Sequence, residues 1–205
     1  MVTASAARAP RGQGHLLREA ILDAAVRRMA AGDEPQDISV RTIADEVGKT
    51  VPALYQHFDS KTDLLVAAAI RGLDDMATQV GQELALTVDL DTRLRRRAHA
   101  FVEFAVQHPV PYRLLFMTPP TGAPSHDSLA VLMSSVGFRA LVGDLSQART
   151  QGQMADRDPT QVAIILLTAL HGVASLLIAH PHLDWPPDLL EHVLDQHVTG
   201  LAPRT

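Results

Sequence analysis

The sequence predicts an all-α protein of about nine helices, and three observations carry that prediction. Apolar residues recur at i, i+3, i+4 and i+7 through most of the chain, the stripe of an amphipathic helix. No segment shows a strand pattern. Glycines, prolines and short polar residues interrupt the stripes at helix-length intervals, as caps and stops do. With 205 residues, 46% of them hydrophobic, the chain can bury one or two cores. The expected division is a disordered basic arm over residues 1–15, a three-helix helix-turn-helix domain over 16–62, and a larger helical bundle over 63–202.

Leu17, Ile21, Leu22, Ala25, Val26 and Met29 place a first helix over residues 16–31, ended near Gly32. Val40, Ile43, Ala44 and Val47 form the next stripe behind Ser39, an N-cap candidate, and Gly48 ends it. Thr50 is placed to cap a third helix in which Val51, Leu54, Tyr55 and Phe58 repeat the spacing. Pro52 is tolerated there because the first turn needs no donor. Two short helices meeting across a tight turn make a helix-turn-helix. Thr50, Pro52, Ala53, Gln56 and His57 fall largely off the buried stripe, so a DNA major groove would meet them.

Ser60 caps a long fourth helix, with Asp63 in the position of a capping-box acid, running to about Leu86. A fifth helix begins at Asp91, lines up Leu94, Ala98, Phe101, Val102 and Ala105, and stops at His108-Pro109. Residues 111–117, PYRLLFM, read as a short apolar turn, and 118–127, with three prolines and a glycine, as a loop. An amphipathic helix spans roughly 127–151. Asp158 and Pro159 then open a helix, about 160–180, that is apolar almost all round and hence buried on every side. One face would meet its own core and the other a second subunit. The last helix, about 187–200, carries Leu189, Leu190, Val193, Leu194 and Val198 and would complete a four-helix homodimer interface. A membrane span is the alternative for the apolar run, but 18 residues barely cross a bilayer, and Thr168, His171 and Ser175 interrupt it without a basic flank.

The net charge is −5, yet residues 1–71 hold 9 Lys or Arg against 9 Asp or Glu, so the acidic excess lies C-terminal to the helix-turn-helix. Arg8, Arg11 and Arg18 precede the first acid, Glu19. They form a basic arm that either follows DNA or stays a solvated terminus. Arg93, Arg95, Arg96 and Arg97 read as a solvated face paired with Asp89 and Asp91 rather than a DNA contact. The chain has no cysteine, which excludes disulfides and thiolate zinc sites and favours an intracellular, cytoplasmic setting; its start lacks the apolar core of a secretory signal. Without a Gly-x-Ser-x-Gly elbow or a phosphate loop, neither an enzyme nor a cofactor is expected. His180 and His182 flank a proline at a helix end, and His192 and His197 are five apart beside Asp195. These read as surface or capping histidines rather than a metal site.

Ser39 and Arg41 before Ile43-Ala44, then Gly48, Ala53-Leu54-Tyr55, His57-Phe58, Lys61 and Leu64-Leu65 form a longer string. It resembles the N-terminal DNA-binding domain of the TetR family of transcriptional regulators. The departure is Lys49, where that family usually has a small apolar residue; its charge either points at phosphate or is simply solvated. His108, Pro109, Tyr112, His171 and Gly172 are similar to the ligand domain of a TetR subgroup with a Trp…His-Gly helix, although Leu167 stands near the place of the Trp.

The resemblance implies a homodimeric, ligand-responsive repressor on a pseudo-palindromic double-stranded DNA operator. Ser39, Arg41, Lys49, Tyr55 and Lys61 would hold phosphates, joined by Arg11 and Arg18. Thr50, Val51, Pro52, Ala53 and His57 would face base edges. In the family a cavity in the C-terminal bundle binds a small molecule and moves the two DNA-binding domains. Candidates for its lining are Phe101, Phe104, Tyr112, Phe116, Met117, Phe138 and His171, each of which also suits plain core packing. Scarce charge along these helices suggests a lipophilic effector. Two readings compete. A helical small-molecule binder predicts no salt-dependent duplex binding, and an effector-independent DNA-binding protein predicts a C-terminal core filled by side chains.

Overall fold

The computed structural model describes residues 13–84, 89–117 and 133–201, and among these there are nine α-helices and no strand. In chain order they are α1 (Gln13–Ala30), α2 (Val40–Glu46), α3 (Val51–Leu54), α4 (Lys61–Leu84), α5 (Leu90–Gln107), α6 (Pro109–Phe116), α7 (Val136–Thr150), α8 (Pro159–Ala179) and α9 (Leu189–Val198). A 3₁₀ turn, Thr199–Leu201, follows.

Local chemistry sets most boundaries. The Ser39 hydroxyl accepts from the Arg41 N–H at 3.2 Å and starts α2. Gly48, at φ +65°, ends it: its N–H donates to the Asp45 carbonyl and that of Lys49 to Ala44, which satisfies the last carbonyls of the helix. Gly32 ends α1 in the same way at φ +91°. Ser60 caps α4, its hydroxyl accepting from the Asp63 N–H at 3.1 Å and donating to the Asp63 carboxylate at 2.8 Å. Asp158 caps α8 through the Gln161 N–H at 2.9 Å, with Pro159 in its first turn.

Several expectations are corrected. Thr50 has the extended backbone of an N-cap, but its hydroxyl caps nothing. α3 ends at Leu54, so the chain turns before the stripe is complete and Tyr55 is exposed rather than buried. Asp89, not Asp91, opens α5: its carboxylate accepts from the Thr92 N–H at 2.8 Å. The expected apolar turn at 111–117 is the helix α6. Pro109 and Pro111 fall in its first turn, where missing donors cost nothing. α7 starts at Val136, behind Ser135, whose hydroxyl accepts from the Phe138 N–H at 3.2 Å. Residues 118–132, which include the expected loop and the start of that helix, lie outside the described residues.

Of the four arginines of α5 only Arg96 is solvent-exposed; the other three are largely covered, so the run is not a solvated face as a whole. Arg93 and Arg97 both clamp Asp144 of α7, at 2.6 and 2.7 Å. Arg95 reaches Asp91, and also Glu191 and Asp195 of α9 at 2.5 and 2.6 Å, while Arg96 reaches Glu83 of α4. The run therefore stitches α5 to three other helices.

The first core joins α1, α2 and α3 through Ile21, Ile43, Leu54 and Phe58, and takes in Leu64 to Ala69 of α4 and Val110 of α6. The C-terminal core lies where α5, α7 and α8 meet, around Leu94, Phe138, Leu145 and Leu166, and continues to α9 through Ala98, Val102, Leu170 and Leu194. Asp74 of α4 pins the start of α7 by accepting from the Val136 N–H at 2.7 Å. α8 is long and apolar enough to cross a membrane, yet it is seated in this bundle. It is not buried all round within one chain: Ile164, Ile165 and Leu176 are exposed.

Candidate DNA-binding face and effector cavity

Arg41, Lys49, Thr50 and Pro52 are exposed around the α2–α3 turn, and Val51, Ala53 and His57 are half-buried beside them. The basic groups near this face differ in how far they are already engaged. Arg27 and Arg28 are held by Glu46, at 2.6 and 3.6 Å, and brace α1 against α2. The side chains of Arg41 and Lys49 have no partner among the described residues, nor has the Tyr55 hydroxyl. Lys61 is half committed: its ammonium donates to the Gln36 carbonyl at 3.0 Å, which leaves two N–H donors for an anion. Arg18 lies within α1, not ahead of it, with its guanidinium 5.1 Å from the centre of the Phe58 ring. Gly14 sits beside His57, so α1 begins next to the turn that follows α3. Arg11 lies outside the described residues.

In the C-terminal bundle a cavity of about 80 Å³ is lined by α4, α5, α7, α8 and α9; Met76, Phe101, Phe138, Leu167 and Leu170 form much of its wall. Phe138 and Leu167 also wall a second recess, of about 250 Å³, reached by Phe116 and His171. Tyr112 is fully buried behind these, its ring edge-on to Phe101 and close to Phe116. Its hydroxyl is 2.7 Å from His171 Nδ1. Burial pushes the phenol well above its ordinary value and the imidazole below its own, so both groups are held neutral and share this hydrogen bond without a charge.

Of the predicted lining residues, the structure brings Phe101 and Phe138 to the smaller cavity and Phe116, Phe138 and His171 to the recess. Phe104 turns the other way, towards Gly72 and His108. Tyr112 supports the wall without lining it, and Met117 is exposed. Sequence reasoning missed Arg97, the one charged residue at the smaller cavity. Its partner Asp144 is 47 positions away, so no local pattern marks the pair. Among the described residues no three His, Asp or Glu side chains gather as a metal site; His197 hydrogen-bonds the Val193 carbonyl and His192 lies 3.4 Å from Asp188.

Two family models match the chain. The model described as bacterial regulatory proteins, tetR family, covers residues 21–68, and the model described as tetracyclin repressor-like, C-terminal domain, covers residues 94–201, more than half of the sequence. The chain belongs to the TetR family. It is therefore a transcriptional regulator with a helix-turn-helix DNA-binding domain and a C-terminal ligand-binding domain, in a family of transcription factors rather than enzymes. TetR proteins include activators as well as repressors. FasR of Mycolicibacterium smegmatis, an HTH-type transcriptional activator, is 42% identical over 74 residues. That match covers 36% of this chain and only 34% of FasR. Among solved structures, RolR in complex with resorcinol has a TM-score of 0.72 at 14% identity, covering 94% of this chain and 90% of RolR. FadR from Bacillus subtilis in complex with stearoyl-CoA has a TM-score of 0.68 at 15% identity, covering 89% and 98%. At such identities the likeness is one of fold, and this TetR protein shares that fold across both domains.

Proposed function

We propose that the protein is a dimeric, ligand-responsive repressor that occupies a pseudo-palindromic operator and is released by a lipophilic effector bound in the C-terminal bundle. The observation that carries this reading is the placement of α6. Val110, Leu114 and Leu115 pack in the core of the DNA-binding domain, while Tyr112 and Phe116 pack with Phe101 beside His171. One short helix thus belongs to both cores, and Arg113 adds an ion pair to Glu34 of the α1–α2 loop at 2.5 Å. A ligand that displaces Phe116 or His171 acts on a rigid element whose other face supports α1 and α4. α6, seated in both cores at once, is the element through which such a ligand would act on the DNA-binding domain.

On the operator, each subunit places one recognition helix in a major groove, half-sites lying about 34–36 Å apart. Thr50, Val51, Pro52, Ala53 and His57 face base edges, and Ser39, Arg41, Lys49, Tyr55 and Lys61 hold phosphates. No Arg or Asn projects from the recognition helix itself. Base reading therefore rests partly on Arg41, which adds discrimination to its phosphate contact, on thymine-methyl contacts from Val51 and Ala53, and on DNA shape. The small cavity favours a second reading, in which the core is already filled and DNA binding needs no effector, because 80 Å³ is well under the ~300–1,000 Å³ of ordinary ligand sites.

Binding to genomic fragments, starting with the region beside the protein's own gene, is to be titrated against salt with and without lipophilic compounds. Tight, fragment-selective, salt-dependent binding that such a compound reverses supports the repressor. Selective binding that nothing reverses favours the effector-independent reading, and binding no better than to random DNA sinks both.

A further inference from the structure

The smaller cavity is apolar except for two groups, Ser135 and Arg97. The Ser135 hydroxyl already caps α7. Arg97 is only 15% exposed, and its Nε donates to Asp144 Oδ2 at 2.7 Å, while Arg93 holds the other carboxylate oxygen at 2.6 Å. Asp144 is thus buried and bridged by two guanidiniums. The terminal nitrogens of Arg97 make no hydrogen bond among the described residues. A guanidinium with unused donors, held rigid by a carboxylate and set in an apolar wall, is a built receptor for a planar anion. In such surroundings charge is poorly screened and a bidentate pair is strong. A neutral ligand would fill the same wall and leave those donors unused.

We infer that the effector is a hydrophobic monocarboxylic acid, its carboxylate taken by the terminal nitrogens of Arg97 and its apolar body lying against Phe138 and Leu167 towards the recess at His171. The inference rests on the reading of this cavity as the effector site and adds the chemical class. The cavity's volume sets a condition: Phe138 and Leu167, the shared wall of the two spaces, turn aside when the apolar body enters.

The test uses the full-length protein and straight-chain acids from hexanoate to dodecanoate, below their micelle concentrations. Each is matched with its primary alcohol and methyl ester, with binding read by calorimetry and thermal shift. At least one acid binds about tenfold or more tighter than its neutral partners, and Arg97→Gln removes that preference while circular dichroism reports an intact fold. Asp144→Asn is expected to move the opposite way. It removes the carboxylate that competes for Arg97 and leaves two guanidiniums short of counter-charge, while the Asn amide oxygen still accepts from Nε and keeps Arg97 in place, so the acid binds this variant more tightly and raises its melting temperature further than it does the parent's. If both variants lose the acid equally, Arg97 is only a packing residue and the inference falls. Alcohols and esters binding as tightly as acids, with Arg97→Gln indifferent, overturn the carboxylate class and leave the effector site standing. Should no member of any series bind, the effector reading falls with it.

Discussion

Lys61 serves the fold before it serves DNA, because its ammonium anchors the Gln36 carbonyl of the α1–α2 loop. Replacing it by alanine is expected to cost about 1 kcal/mol of stability for the lost hydrogen bond. If it also holds a phosphate, the same change lowers affinity for operator and random duplex alike and reduces the salt slope by about one. Arg41 has no such anchoring bond in its side chain, so Arg41→Ala leaves stability unchanged and relaxes discrimination between sequences. Equal losses on both duplexes for both variants would refute this division. His171 gives a second residue-scale expectation. Its pKa is depressed below 6.5 by burial, so below pH 6.5 the unfolded chain takes up a proton that the native protein resists. The stability associated with His171 is therefore complete above about pH 6.5 and declines as pH falls towards the native pKa. Denaturant midpoints of His171→Gln and the parent, compared at pH 7.5 and 5.5, should show a smaller acid loss in the variant. A parallel loss would mean that His171 is protonated as easily in the folded protein as in water. Caps such as Ser39, Ser60 and Asp158 were legible in the sequence because their partners lie two or three positions away. The Arg97–Asp144 pair was not, since only the packing of α5 on α7 creates it.

At the scale of elements, the α2–α3 turn depends on one backbone conformation. Gly48 sits at φ +65° with open space around it, so a Cβ there meets no neighbour and strains only the backbone. Gly48→Ala is expected to cost about 1–2 kcal/mol, the left-handed penalty alone, measured as a lower urea midpoint with unchanged slope. A cost near zero would show that the turn can relax into another conformation. The glycine was readable because a helix stop followed by a cap is a local signal. The end of α3 was not: the spacing of Val51, Leu54, Tyr55 and Phe58 continues a helical period, but the helix stops at Leu54, which keeps Leu54 and Phe58 inside and turns Tyr55 out. α6 was misread for a related reason. Pro109 and Pro111 look like breakers, yet the first turn of a helix has no use for their missing N–H groups. The element that links the two domains was thus hidden behind its own start signal.

At the scale of the molecule, the charge of −5 and a neutral DNA-binding domain become intelligible once ion pairs are assigned. The arginines of α5 are taken up in ion pairs to α4, α7 and α9, while Arg41 and Lys49 are left open at the helix-turn-helix. The remaining unsatisfied feature is apolar. Ile164, Ile165 and Leu176 of α8 are exposed beside Val193 and Leu189 of α9, around an open groove of about 580 Å³. The sequence marked both helices as interface candidates, but α9 also fills its own core, because Leu194 is buried between α5 and α8 and Val193, Leu189 and Leu190 pack around it. For the dimer proposed above, the exposed apolar surface is thus centred on α8, where small residues at Ala169 and Gly172 would let a second copy approach closely. Ile165 is 54% exposed in the single chain, so Ile165→Glu has little to disturb in the monomer fold. In a dimer that seats two copies of α8 together it would bury two like charges. Sedimentation equilibrium should then show a folded monomer, and operator affinity should fall on the order of a hundredfold or more, because two recognition helices bind as one ligand only while they are joined. A variant that stays dimeric would place the subunit contact elsewhere, and one that is monomeric yet binds the operator undiminished would mean that a single helix-turn-helix suffices.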